Sequence, residues 1–436
     1  MFVPSSHHAS LWTGLNTSEK YSVMERDDGS GTARPGHTRN ACLNVIIVAL
    51  NETCDGKRWY TSTKELQLAS LEFCMACRNH QTVHLNIDPQ IPRRLLAAAD
   101  APPTQLKGLR WTRVPRLKAR RVTWNMPTAA ELTTPIVTMT KVESLKFGTV
   151  VQGSLEAVAW PQRLKMLEFC PSSRYNEPIE TVKWPASLQR LDFGDEINQR
   201  IEGACWPDLL QTLSFGRSFN QPIARAPWPE CLQTLRFGGD FNQPIAQVSW
   251  PESLLELVLG DDFNQSIKDV RWPGSLQELV LGWDFDHPIE GVSWPDSLRR
   301  LDVGWHFNQP IAGVSFPNSL QKLCLGGDFN QPIEGVSWSA SLQTLEFWEE
   351  FNQPIREVSW PDSLQELRFG KEFNQPVEEV AWPDQLQELR FGEYFNQPIK
   401  ESCWPASLRK LEVGREFRKD MAGVKLPPGF ERVYYT

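Results

Sequence analysis

Four side chains with metal-binding chemistry lie close together early in the chain: Cys74, Cys77, His80 and His84. On a helix their spacing would set them within about 120° of one another, and mixed thiolate and imidazole ligands are zinc chemistry. A tetrahedral site seldom draws all four ligands from one helix face, and no second Cys or His cluster follows to close a finger. The expectation is therefore a helix over 63–85 that buries its cysteines and exposes its histidines, with no metal and no other cofactor. His287 and His306 only replace other residues within a repeating pattern. No nucleophile elbow, phosphate loop or His-Glu-x-x-His motif is present, so no enzymatic activity is expected.

A second kind of chemistry is electrostatic. Lys107, Arg110, Arg113, Arg116, Lys118, Arg120 and Arg121 fall within fifteen residues that hold no acid. Such a run serves as a localisation signal or a phosphate-binding patch, or lies as a solvated face against the acidic remainder of the chain. The last reading is preferred, because the charge balance opposes a nucleic-acid cradle. Residues 1–150 hold 19 Lys and Arg against 12 Asp and Glu, whereas residues 151–436 hold 26 against 41. Phosphate recognition needs clustered positive charge, and nucleic acid is accordingly a disfavoured partner.

The longest apolar run, Ala41 to Leu50, is about half of what a bilayer span requires. The first residues lack the basic and apolar sequence of a secretory signal. Nine cysteines are an odd number and do not pair by position, as expected in a reducing compartment. A cytoplasmic protein without membrane association follows as the expectation.

The elements that must position any site are set by a repeat. Phe219, Phe241, Phe263 and the Phe residues onward to Phe417 recur every 22 residues, with Ile197 and Tyr175 holding the step upstream and a two-residue insertion near Pro171-Ser172. Eleven of the 18 tryptophans, from Trp160 to Trp404, share one further position, with Phe316 standing in once. Within a unit, Leu364-Gln365-Glu366-Leu367-Arg368-Phe369-Gly370 predicts a short strand that turns Leu367 and Phe369 inward and Arg368 outward. Gly370 then lets the chain turn, the Phe373 and Val377 positions fill the coil, and Trp382-Pro383 forms the opposite wall. Proline there forbids both helix and ladder hydrogen bonds, so extended or 3₁₀ structure is expected at the back. One unit cannot bury its own apolar face, but stacked copies can. The asparagines from Asn176 to Asn396 are expected to stack as a ladder that satisfies backbone groups in the turn.

Phe-Asn-Gln-Pro-Ile at this spacing, followed by Trp-Pro-x-Ser-Leu-x-x-Leu-x-Phe-Gly, resembles the FNIP repeat family, a relative of leucine-rich repeats. The likeness covers about residues 142–417 and departs from the family pattern in placing Gln where Ile is usual. It implies a non-catalytic protein-interaction solenoid. Family members often carry an F-box, so a ubiquitin-ligase substrate adaptor is an alternative that the resemblance suggests, although residues 41–100 show no F-box pattern.

The expected fold is a mostly β, right-handed, leucine-rich-repeat-like stack of about 13 coils with a parallel sheet and a small α-containing N-terminal cap. Its parts would be a disordered tail (1–40), a helical or mixed cap (41–100), degenerate first coils with the basic segment (101–141), the repeat solenoid (142–416) and a capping coil (417–436). The function expected is a monomeric scaffold that presents its sheet face to a protein partner. The strand position between Leu and Phe is expected to face solvent and varies from Lys146 and Glu168 to Arg390 and Glu412, as a recognition surface requires. The binding candidates are Val258, Val280, Arg368 and Arg390 on that surface, with Trp283, Trp305 and Trp348 just beyond the strands and outside every ladder.

Overall fold

The computed structural model of the chain describes residues 84–87, 121–124, 142–149, 151–400, 402–419 and 424–435. The tail (1–40) expected to be disordered, most of the expected cap, and Lys107, Arg110, Arg113, Arg116, Lys118 and Arg120 lie outside those residues, as do Cys74, Cys77 and His80. All the described residues belong to one compact unit.

Among the described residues, sixteen strands form a single sheet in strict chain order. β1 (His84–Ile87) and β2 (Arg121–Trp124) precede β3 (Ser144–Phe147) and β4 (Met166–Phe169). From β5 (Arg190–Asp192) to β16 (Arg432–Tyr435) each strand starts 22 residues after the last. Every neighbouring pair is parallel and in register, Leu301 opposite Leu323 and Leu323 opposite Leu345, for example. The regular coils of about 22 residues number about 12. The offset from β4 to β5 is two residues longer (Met166 opposite Arg190), and Ser173 in that insertion is fully buried. β1 occupies the end of the span where a helix was expected, which removes His84 from any single-helix metal set. Its His-Leu-Asn-Ile alternation has the period of a strand. No helix occurs among the described residues, as the two prolines of most units dictate.

One apolar interior runs the length of the stack. The strand leucines from Leu145 to Leu411 are at most 1% exposed, and the phenylalanines from Phe219 to Phe395 are fully buried. Those phenylalanine rings form a near-parallel file with centroids 6.0–6.3 Å apart. The tryptophans file in the same way, 6.3 Å from Trp228 to Trp250 and 6.2 Å from Trp338 to Trp360. The following proline opens a tight turn, closed in one coil by Leu364 N–H donating to the Pro361 carbonyl at 3.0 Å. All eleven column indole N–H groups are buried without a hydrogen-bond partner. Several of these indoles meet a strand phenylalanine edge to face, Trp360 and Phe369 at 6.4 Å and 76° among them.

The turns are tied together by side chains. Asn308 Oδ1 accepts from the backbone N–H of Asn330 at 3.0 Å and from Gln331 Nε2 at 3.0 Å, and the arrangement repeats from Asn176 to Asn396. Asp286 takes the asparagine place once and still accepts from Asn308 N–H at 3.0 Å. A second ladder, not anticipated from the sequence, runs along the serines of Trp-Pro-x-Ser: Ser297 Oγ donates to the Leu276 carbonyl at 2.6 Å, and Ser363 to that of Leu342 at 2.8 Å.

Ring spacing also reports how the coils fan out. Adjacent parallel strands lie about 4.8 Å apart. The strand phenylalanines just inside the sheet are 5.7 Å apart (Phe369 to Phe391), and the deeper Phe373 and Phe395 are 6.1 Å apart. Coil spacing therefore grows inward from the sheet, and side chains on the sheet's outer face converge.

Candidate protein-interaction face

The variable strand position changes character along the stack. Lys146, Arg236 and Arg390 are exposed and Val258 is half-buried, but four consecutive members are buried: Val280 at 8%, Asp302 at 9%, Cys324 at 2% and Glu346 at 9%. The expectation that this whole position faces solvent fails at its centre, where the small Val280, Asp302 and Cys324 side chains and the ion-paired Glu346 are covered. Val280 is thus a floor rather than a protruding contact, paired in register with Val258 on one side and Asp302 on the other.

The charges of this face are largely matched within it. Glu346 receives Lys322 Nζ at 2.9 Å and lies 3.6 Å from Arg368, which also pairs with Glu366. Arg390 lies 3.4 Å from Glu412, and Arg300 lies 4.0 Å from Asp302. Burial alone would raise the Glu346 carboxyl, but the Lys322 hydrogen bond and the Lys322 and Arg368 charges hold it below its usual range. Asp302 goes the other way. Its burial outweighs the Gly304 N–H bond and the Arg300 charge, and its carboxyl is raised. Cys324 donates to Glu346 Oε2 at 3.4 Å, and burial followed by the Asp302 and Glu346 charges pushes its thiol well up, so it is a poor nucleophile.

Beyond the strands, the three tryptophans outside the ladders do meet. Trp283 and Trp305 stack at 4.9 Å and 13°, and Trp348 stands edge to face on Trp305 at 5.4 Å and 86°. All three are half-buried. Trp348 occupies the position that is glycine in the neighbouring coils, one residue earlier in the unit than Trp283 and Trp305. It reaches Trp305 across an intervening coil because Gly327 is bare: a Cβ there would fall 2.3 Å from the Trp305 ring. Two coils adjust to hold the pair. Elsewhere the Phe N–H closes the corner onto the glycine carbonyl, at 3.3 Å for Phe329 and 3.3 Å for Phe373, but neither Phe307 nor Phe351 makes that bond. Around the stack, His306 Nδ1 lies 2.7 Å from Asp328 and Nε2 lies 3.8 Å from Asp284. Sequence reasoning set His306 aside as a replacement within the repeat and did not single out Gly327 or the acidic neighbours. A bare glycine beside a column of tryptophans was the available signal.

Of the sequence candidates, Trp283, Trp305 and Trp348 form one cluster, Val258 and Val280 adjoin each other on the sheet, and Arg368 and Arg390 are opposite each other in register but engaged in ion pairs. Arg121 begins β2. Among the described residues, no group of three or more His, Cys, Asp or Glu could hold a metal ion, and no helix is long and apolar enough to cross a membrane.

A parallel sheet in chain order, one leucine-lined interior and a conserved-length coil define a leucine-rich-repeat-like β-solenoid. The FNIP Repeat family profile matches it in successive overlapping windows over residues 175–306 and 307–394, and the chain belongs to the FNIP repeat family. Among solved structures it is similar to CroV588, described as a novel circular LRR protein (29% identity, TM-score 0.48), over 73% of this chain and 60% of that one. It is also similar to the internalin InlF of Listeria monocytogenes (12% identity, TM-score 0.44), over 62% of this chain and 78% of that one. The chain thus spans 60% of the length of CroV588. No curated protein matches it.

Proposed function

We propose that this chain is a non-catalytic, monomeric protein-interaction scaffold that engages its partner with the centre of the sheet face and the adjoining rim. The observation that carries the reading is the Trp283–Trp305–Trp348 cluster. These are large, half-buried aromatic side chains that no stacking ladder uses, supported by local departures from an otherwise uniform coil. Tryptophan is enriched at interface hot spots, and a rigid wall loses little entropy when it is bound. Val258 and Val280 extend the apolar area, while Arg368 and Arg390 border it with charge already oriented by Glu346 and Glu412. Free cysteines at 170, 205, 231, 324 and 403 support a reducing, cytoplasmic setting.

The test is affinity capture from source-cell extract with the full chain and with Trp283→Ala, Trp305→Ala and Trp348→Ala combined. Specific partners should be lost from the triple variant while its melting transition persists. A full set of retained partners would remove this face from consideration.

A further inference from the structure

Each coil leaves its strand through two residues that lie outside the ladders, and near the tryptophans this rim is acidic: Gly239-Asp240, Asp261-Asp262, Trp283-Asp284, Trp305-His306, Gly327-Asp328, Glu349-Glu350. The side chains of the first position lean in opposite directions. Trp305 lies over the bare Gly327, and Asp261 Oδ2 comes within 3.5 Å of where a Gly239 Cβ would stand. Trp283 sits between them. One of its faces is covered by Trp305 at 4.9 Å, and on its other face, towards the Asp261 coil, no ring or cation of the described residues is stacked.

The coil on that side carries carboxylates with few counterions among the described residues. Asp240 lies 3.7 Å from Arg217 and Asp284 lies 3.8 Å from His306, whereas Asp261 and Asp262 make no ion pair with any described residue. Burial raises both carboxyls; the Arg217 charge opposes it, most at Asp261, while the neighbouring Asp240 and Asp284 charges add to it. The rim already shows which cation suits it. Arg217 lies along the bare Gly239 with its guanidinium directed at Asp240.

Resting on the interaction reading above, we propose that the open face of Trp283, bordered by Asp261, Asp262 and Asp284, seats an arginine side chain from a basic segment of the protein partner. A guanidinium is planar and weakly hydrated. It can lie flat on the indole while its N–H groups donate to carboxylates at the edge, which a compact, strongly hydrated ammonium does less well. The rim repeats its carboxylates from coil to coil, so a partner segment with several arginines gains at more than one coil, and the acidic balance of residues 151–436 favours its approach.

The probe is a fluorescein-labelled decapeptide of alternating Arg and Ser, titrated into the full chain at near-physiological salt, beside Lys-Ser and Glu-Ser counterparts. The expected result is saturable binding of the Arg peptide, weaker binding of the Lys peptide and none of the Glu peptide. Trp283→Ala should weaken Arg-peptide binding about fivefold or more, and Trp283→Phe should restore most of it. Asp262→Asn with Asp284→Asn should weaken it further, while Asp362→Asn with Asp384→Asn, equal in charge but on the proline side, should not. Equal binding by wild type and Trp283→Ala, or equal loss in the proline-side control, would show diffuse attraction and overturn the proposal. Tighter peptide binding after Arg113, Arg116, Arg120 and Arg121 are changed to Ser would show the seat filled by this chain's own basic segment, and would likewise overturn it. Absent Arg-peptide binding combined with partner loss in the triple tryptophan variant would refute the arginine seat and leave the scaffold reading standing.

Discussion

Asn308→Ala isolates the contribution of the amide ladder. The Asn308 side chain accepts from the Asn330 backbone N–H and from Gln331 Nε2, both at 3.0 Å, and Gln331 has no second acceptor there, unlike Gln353, which also reaches the Asn330 carbonyl. Truncation leaves one backbone donor and one amide donor without a partner in a half-buried turn. At about 1–3 kcal/mol for a stranded buried donor and about 1 kcal/mol for the second bond, the loss should be about 2–4 kcal/mol. Asn308→Asp supplies the internal control. Asp286 already performs the same task one coil earlier, so that change should cost less than about 1 kcal/mol. Urea unfolding at constant m-value reads the difference, and hydrogen exchange at the Asn330 amide should accelerate only in the alanine variant. Equal stability of the two variants, or an alanine variant within about 0.5 kcal/mol of wild type, would refute the ladder argument.

Other consequences follow from the same coil. Phe285, fully buried between Phe263 and Phe307 at 6.2 and 6.1 Å, should cost about 3–5 kcal/mol as Phe285→Ala in thermal or urea unfolding. Because the column indole N–H groups have no partner and Phe316 fills one place at 8% exposure, Trp360→Phe should cost under about 1.5 kcal/mol while Trp360→Ala costs several times that, measured by urea midpoint. A Cβ on Gly260 would meet the Gly238 carbonyl oxygen at 2.0 Å, so Gly260→Ala should destabilise by about 1–3 kcal/mol, visible as a lower melting temperature. Asp302 holds its proton more tightly when folded than its ordinary value of 3.8, so its ionisation lowers stability as pH rises from that value through the folded one. Asp302→Asn keeps an acceptor for the Gly304 N–H and should melt higher than wild type near pH 7, with the gap closing towards about pH 4.

The columns that build the fold are legible as sequence because each obeys a local rule. Leucine and phenylalanine alternate across a strand, asparagine caps the turn, and proline ends every attempt at a helix. The site is only partly legible. Trp283 and Trp305 announce themselves by falling one coil apart, but Trp348 meets them only because Gly327 leaves a gap, and that gap is a property of three coils in space. The fanning of the coils is likewise invisible in a repeat of constant length. The burial of Val280, Asp302, Cys324 and Glu346 is hidden too, since it depends on which side chains flank each position across the sheet. The Ser297 and Ser363 bonds escaped notice because their acceptors lie a full coil away. β1 was hidden by the apolar, helix-like stretch that precedes it.

Excision of a whole unit tests the shared interior most directly. Removal of residues 373–394 joins Glu372 to Phe395, which occupies the same place in the next coil and stacks 6.1 Å from Phe373 in the intact protein. The shortened chain should fold with an unchanged strand signature, unfold in one cooperative urea transition and show an m-value lower by about one part in twelve. A chain that loses cooperative unfolding altogether would contradict a stack of interchangeable coils.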